Sequence, residues 1–124
     1  MSKINNRQFG NKAEDEAVLF LESKGYEILE RNFRTRLGEI DIIAKDKNTV
    51  CFIEVKARRT SDQGPPEEAV TSRKQHQITK VALQYIKEHQ LYESRMRFDV
   101  VTIDKTFEVG EPIKLIVNAF DAAG

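Results

Sequence analysis

The spacing of apolar and polar residues changes along this chain, and each change marks an element. In NKAEDEAVLFLESK (11–24), Ala13, Ala17, Phe20 and Leu21 recur at helical spacing. Asn11 stands where an N-cap is expected, acids follow in the first turns where the helix dipole favours them, and Gly25 supplies a stop. YEILERNFR (26–34) carries Tyr26, Ile28 and Leu29 ahead of a basic end and predicts a first strand. In GEIDIIAKDKNTVCFIEVKARR (38–59), β-branched residues flank the polar run Asp46 to Thr49, which predicts two strands joined by a tight turn. TSDQGPPEEAVT (60–71) combines Gly64, two prolines and polar residues and predicts a loop, with a short helical turn after Pro66. Ser72 and Gln75 fit a capping box, and Ile78, Val81, Ala82, Tyr85 and Ile86 repeat along one face of a helix ending near Gln90. MRFDVVTID (96–104) and IKLIVNAF (113–120), separated by a turn at 110–112, predict a fourth and a fifth strand. Helix, three strands, helix, two strands is the order of an α/β fold, one mixed sheet flanked by helices.

Composition narrows the class. At 124 residues the chain fits a single domain, 1–124. With 40% hydrophobic and 32% charged residues it is too apolar for a disordered chain, and no run approaches the roughly 18 apolar residues of a membrane span. No secretory signal or transit peptide is visible at the N-terminus, so a soluble, cytoplasmic protein without a membrane partner is expected. Cys51 is the only cysteine and lies in an apolar strand, which excludes an internal disulfide and a Cys-rich metal site and marks a buried thiol. Twenty basic and twenty acidic residues cancel, so net charge gives no support for a nucleic-acid partner; only local clusters such as Arg31, Arg34 and Arg36 do.

The candidate chemistry lies in the predicted hairpin. A turn centred between Lys47 and Asn48 sets Asp41 opposite Glu54, Glu39 opposite Lys56 and Ile43 opposite Phe52, all on one face of the sheet. Ile40, Ile42, Ala44, Cys51, Ile53 and Val55 form the other face, and a slip of one residue would set charges against the core. Two carboxylates whose β-carbons lie roughly 5 Å apart repel unless something positive sits between them, and hard oxygen ligands suit Mg²⁺ or Mn²⁺. The backbone carbonyl of Val55 offers a further ligand. Lys56 alongside could orient or deprotonate a water, or neutralise charge building on a phosphate oxygen. That combination hydrolyses phosphodiesters. The other reading of Asp41, Glu54 and Lys56 is a solvated ion-pair cluster, with Glu39 as a cross-strand partner of Lys56.

These residues resemble a known pattern. GEIDIIAKD followed by FIEVKARR is similar to the PD-(D/E)xK core of restriction-endonuclease-like nucleases, and more closely to the small bacterial YraN-type proteins, predicted endonucleases related to archaeal Holliday-junction resolvases. The likeness spans almost the whole chain: GNKAEDEAVLFLESKGY, RNFRTRLGEIDII, FIEVKARR, AVTSRKQHQI and RFDVV follow in the expected order. Ile40 replaces the proline of the superfamily's name, as in the related resolvases. The resemblance implies a restriction-endonuclease-like α-β-β-β-α-β core with an extra C-terminal strand, a divalent cation and a DNA substrate. It assigns Asp41 and Glu54 to the metal, adds Glu14 as a further metal-site carboxylate, and makes Lys56 the catalytic lysine. Lys74 matches a basic position expected to touch phosphate, and Arg36 and Arg58 complete the expected substrate contacts. Branched or junction DNA is the substrate by analogy, which favours a two-fold dimer. The competing expectation is a non-catalytic module that binds nucleic acid or a DNA-processing protein.

Remaining candidates are weaker. Glu16 competes with Glu14, but residues two apart on a helix differ by roughly 200° in direction and only one can face the sheet. Asp99, within an apolar strand, reads as a hydrogen-bonding structural acid or a neighbour of the site. His76 and His89 read as exposed helix residues, and Phe33 as core packing or a base-stacking ring.

Overall fold

The computed structural model describes residues 6–58, 70–104 and 112–122, with side chains from Lys12 onward except that of Arg58. The elements are α1 (Asn6–Ser23), β1 (Glu27–Thr35), β2 (Gly38–Asp46), β3 (Thr49–Arg58), α2 (Ser72–Glu88), β4 (Arg95–Asp104) and β5 (Ile113–Phe120). The expected element order is therefore observed. Most of the expected loop at 60–71 and of the turn at 110–112 lies outside the described residues. One sheet runs β1-β2-β3-β4-β5. β3 and β4 pair in parallel, and every other neighbour is antiparallel. Parallel strands need a long crossover, and α2 lies within it.

Two helix ends differ from expectation. α1 already begins at Asn6, so Asn11 lies inside it and not at the N-cap position. Its C-terminus follows the sequence: Gly25 adopts φ 92°, a conformation other residues resist, while the Gly25 and Tyr26 N–H groups donate to the Glu22 and Leu21 carbonyls. The cap of α2 is Thr71, one residue earlier than Ser72, and its hydroxyl accepts the Lys74 N–H at 3.2 Å. Gln75 forms no capping box; its side-chain amide reaches back to the Val70 carbonyl.

The two faces of the sheet bury separate cores. On one, Ala13, Ala17 and Leu21 of α1 meet Tyr26, Ile42, Ala44, Cys51, Ile53, Val101 and Ile103. On the other, Ile78, Val81, Ala82, Tyr85 and Ile86 of α2 meet Phe33, Ile40, Ile43, Phe52, Phe98 and Val100. Cover on both faces explains why β3 and β4 read as nearly unbroken apolar runs. Cys51 is fully buried, and Phe33 is a core residue set edge-on to Tyr85 at 5.2 Å.

The register of the hairpin is the predicted one from Asp46↔Thr49 to Ile42↔Ile53. Beyond Ile42 a correction is needed. Ile40 packs against α2, whereas Ile42 packs against α1, although residues two apart on a regular strand share a face. β1 does the same opposite: Arg31 reaches the α1 acid Asp15, while Phe33 packs on α2. Between these pairs lie Asn32, at φ 53°, and Asp41. The left-handed turn at Asn32 lets both strands exchange faces at one point, and Asn is among the few non-glycine residues that accept such a backbone.

Candidate functional site

Asp41 stands where β2 changes faces, and this places it between the two layers. Its Oδ2 accepts the Val55 N–H at 2.8 Å. The regular ladder stops one pair earlier, at Ile42↔Ile53, so a side chain replaces the backbone acceptor at the point where β2 and β3 diverge. Val55 thus presents its N–H to Asp41.

Glu54 follows on β3, facing α2, only 6% exposed. Lys74, in the first turn of α2, approaches its Oε1 at 3.1 Å. Capping by Thr71 starts the helix where Lys74 can reach this carboxylate. Glu54 Oε2 is buried with no hydrogen-bond partner. Lys56, two residues along on the same face, completes the group.

The electrostatics follow from burial and crowding. Asp41 is pushed up to about 8, by burial first and then by the Glu54 carboxylate beside it. Lys56 is lowered, by burial and then by the charge of Lys74. Burial works against charge on Lys74 too, but the Glu54 carboxylate together with Lys56 and Asp41 outweighs it and Lys74 is raised. Two carboxylates and two amines therefore share one half-buried place with too little solvent to screen them.

Glu14 projects from α1 toward the sheet, as its position on the helix predicts. Its pKa is raised, by burial and then by Asp41, while a hydrogen bond from Asn32 and the charge of Arg31 pull it back. Arg31 lies 3.9 Å from Glu14 Oε1, an atom that is buried without a hydrogen-bond partner. Asp41 is thus flanked by an acid from each side of the sheet. Among the described residues no three His, Cys, Asp or Glu side chains converge closely enough to form a ready metal site. The donor set nevertheless suits a dication: carboxylates that repel one another, two of them with a buried, unpartnered oxygen.

Residues 13–103 match the model of Uncharacterised protein family UPF0102. The chain belongs to that family. It is 48% identical over 120 residues to a UPF0102 protein of Desulfosudis oleivorans, covering 96% of this chain and 95% of the relative. A UPF0102 protein of Geobacter metallireducens is 48% identical over 121 residues, covering 97% and 98%. One from Caldicellulosiruptor saccharolyticus is 47% identical over 119 residues, covering 94% and 100%. The family stretch runs from α1 into β4 and so includes Glu14, Asp41, Glu54, Lys56 and Lys74.

Other sequence candidates fall elsewhere. Arg36 lies exposed in the turn between β1 and β2, and the Arg58 side chain lies outside the described residues. Glu39 binds Arg34 of β1 at 3.0 Å, so its salt bridge crosses to the opposite neighbour from Lys56. Asp99 is fully buried, accepting hydrogen bonds from Arg97 and from the Asn118 N–H at 2.8 Å. Arg97 also donates to Tyr26 Oη at 2.7 Å and Asp46 at 3.3 Å, so this network ties four strand regions together away from Asp41. His76 and His89 are exposed and turn Nδ1 toward carbonyls of their own helix. Asn32 was not singled out by its sequence, although an Asn between charged and aromatic residues of a strand is a β-breaking signal. The Lys74–Glu54 contact had no local signal, because it forms only when α2 packs across the sheet.

Proposed function

We propose that this protein is a divalent-metal-dependent endonuclease that hydrolyses DNA phosphodiester bonds, with branched or junction DNA as the extension suggested by its resemblance to resolvases. The observation that carries the reading is the Asp41–Glu54 pair: adjacent acids, Glu54 buried and Asp41 half-buried and raised to about 8, with Glu54 Oε2 unpartnered and Lys56 beside them. A buried like-charged pair costs folding free energy, and such arrangements cluster where charge is used.

Asp41 and Glu54 would hold Mg²⁺ or Mn²⁺, with Glu14 as the further carboxylate from α1. The bound ion would supply Lewis acidity and a more acidic water. The chain does the rest. The Val55 N–H fixes the orientation of Asp41, and Lys74 fixes one oxygen of Glu54. Lys56, its pKa lowered, can take a proton from water as an amine or, as an ammonium, face charge developing on a phosphate oxygen. Incubating the protein with duplex, single-stranded and branched DNA plus Mg²⁺ or Mn²⁺ tests this. Cleavage should be lost in Asp41→Asn and Lys56→Ala; activity surviving both would come from another site.

One observation favours a second reading. The Lys74 ammonium already neutralises Glu54, as it would in a protein of this fold that binds DNA or a DNA-processing partner without cutting. Salt-sensitive DNA binding with no cleavage under any dication would select it.

A further inference from the structure

The neutral total charge conceals a strong separation between the two helices. α1 carries four acids, Glu14, Asp15, Glu16 and Glu22, against Arg7 and Lys12, whereas α2 carries Arg73, Lys74, Lys80 and Lys87 with Glu88 as its single acid. Along α2, Arg73, Gln77, Lys80, Gln84 and Lys87 recur at spacings of four, three, four and three. At 100° per residue they fall within a stripe about 80° wide and about 21 Å long. That stripe is turned away from the buried face formed by Ile78, Val81, Ala82 and Tyr85. Arg73, Lys80 and Lys87 are all exposed, and none is ion-paired among the described residues. Glu88, at the end of α2, accepts from the Gln84 amide at 3.0 Å.

We infer that this outer face of α2 binds the phosphate backbone of double-stranded nucleic acid, holding it beside the site that begins at Lys74. The inference deepens the nuclease reading and rests on it for the placing of the duplex. Three cations separated by glutamine donors match a regular line of phosphates, contacts that position a duplex without reading its sequence. The face has no exposed Phe, Tyr or Trp on which unpaired bases could stack, since Tyr85 is buried. Leu83 is its one strongly exposed large apolar side chain, too little to insert into a membrane surface.

The test is fluorescence polarisation with a labelled 20-base-pair duplex across a KCl series in EDTA, so that no cleavage intervenes. The wild-type chain is compared with a stripe variant, Arg73→Gln with Lys80→Gln and Lys87→Gln. A control of equal charge loss carries Lys45→Gln, Lys47→Gln and Lys114→Gln, all at exposed positions of the sheet and its turn. The stripe variant should bind at least about tenfold more weakly at low salt, and its slope of log K against log salt should fall by about 2 to 3, while the control stays close to wild type. Equal losses in both variants, no duplex binding by the wild type, or binding to phosphatidylserine vesicles in place of duplex would overturn the inference. Cleavage by a stripe variant that binds like wild type would sink the stripe and spare the nuclease. Stripe-dependent binding with no cleavage under Mg²⁺ or Mn²⁺ would do the reverse.

Discussion

Asp41 and Asn32 show how much one residue can decide. Between the ordinary Asp value of 3.8 and about 8, folded Asp41 keeps a proton that the unfolded chain releases, so the folded state loses stability as pH rises through that window. Asp41→Asn removes the effect. At pH 8 without added metal the variant should melt at least about 4 °C above wild type, a gap that closes toward pH 4 in paired thermal scans. The opposite sign would mean that Asp41 is ionised and satisfied in the fold. Asn32 accepts a left-handed backbone and hydrogen-bonds Glu14. Asn32→Val should cost about 1 to 3 kcal/mol in urea unfolding, while Asn32→Gly, which tolerates the backbone, should cost less.

At the scale of elements, most of the fold was legible because period and turn chemistry agree locally. The 3.6 repeat of Ile78 to Ile86 marked α2, and Asp46 to Thr49 set the hairpin register that is observed. The face exchange at Asn32 and Asp41 was not legible, since strict alternation was the only rule available for placing Ile40, and the rule fails there. The caps moved for a related reason: Thr71 and Ser72 are both capable caps, and packing of α2 on the sheet decides between them. Thr71→Ala should lower stability by about 1 kcal/mol. Asp99 is a stronger test of packing. Removing it leaves the Arg97 guanidinium half-buried beside Asp46, so Asp99→Ala should cost about 3 kcal/mol and lower the melting temperature by about 10 °C.

For the whole molecule, the proposed metal site should link stability to dications. An ion bound only by the folded state raises stability by about 2.7 kcal/mol at a hundredfold excess over Kd. Because it must displace the proton on Asp41, the rise in melting temperature with Mn²⁺ should be larger at pH 8 than at pH 5.5 and absent in Asp41→Asn. Identical shifts in the variant would move the ion elsewhere.

The parallel pairing of β3 with β4 has a kinetic consequence. β2 and β3 are joined by a short turn, so Asp41 and Glu54 meet early in folding, whereas Lys74 reaches them only after the crossover closes and α2 docks. In the interval the nascent hairpin must hold two acids together with only its own Lys56 beside them and without the Lys74 ammonium. Acidification or a trace of Mn²⁺ should therefore quicken refolding more than it slows unfolding, so that the chain gathers its charged centre soonest when a proton or an ion stands in for the lysine still to arrive.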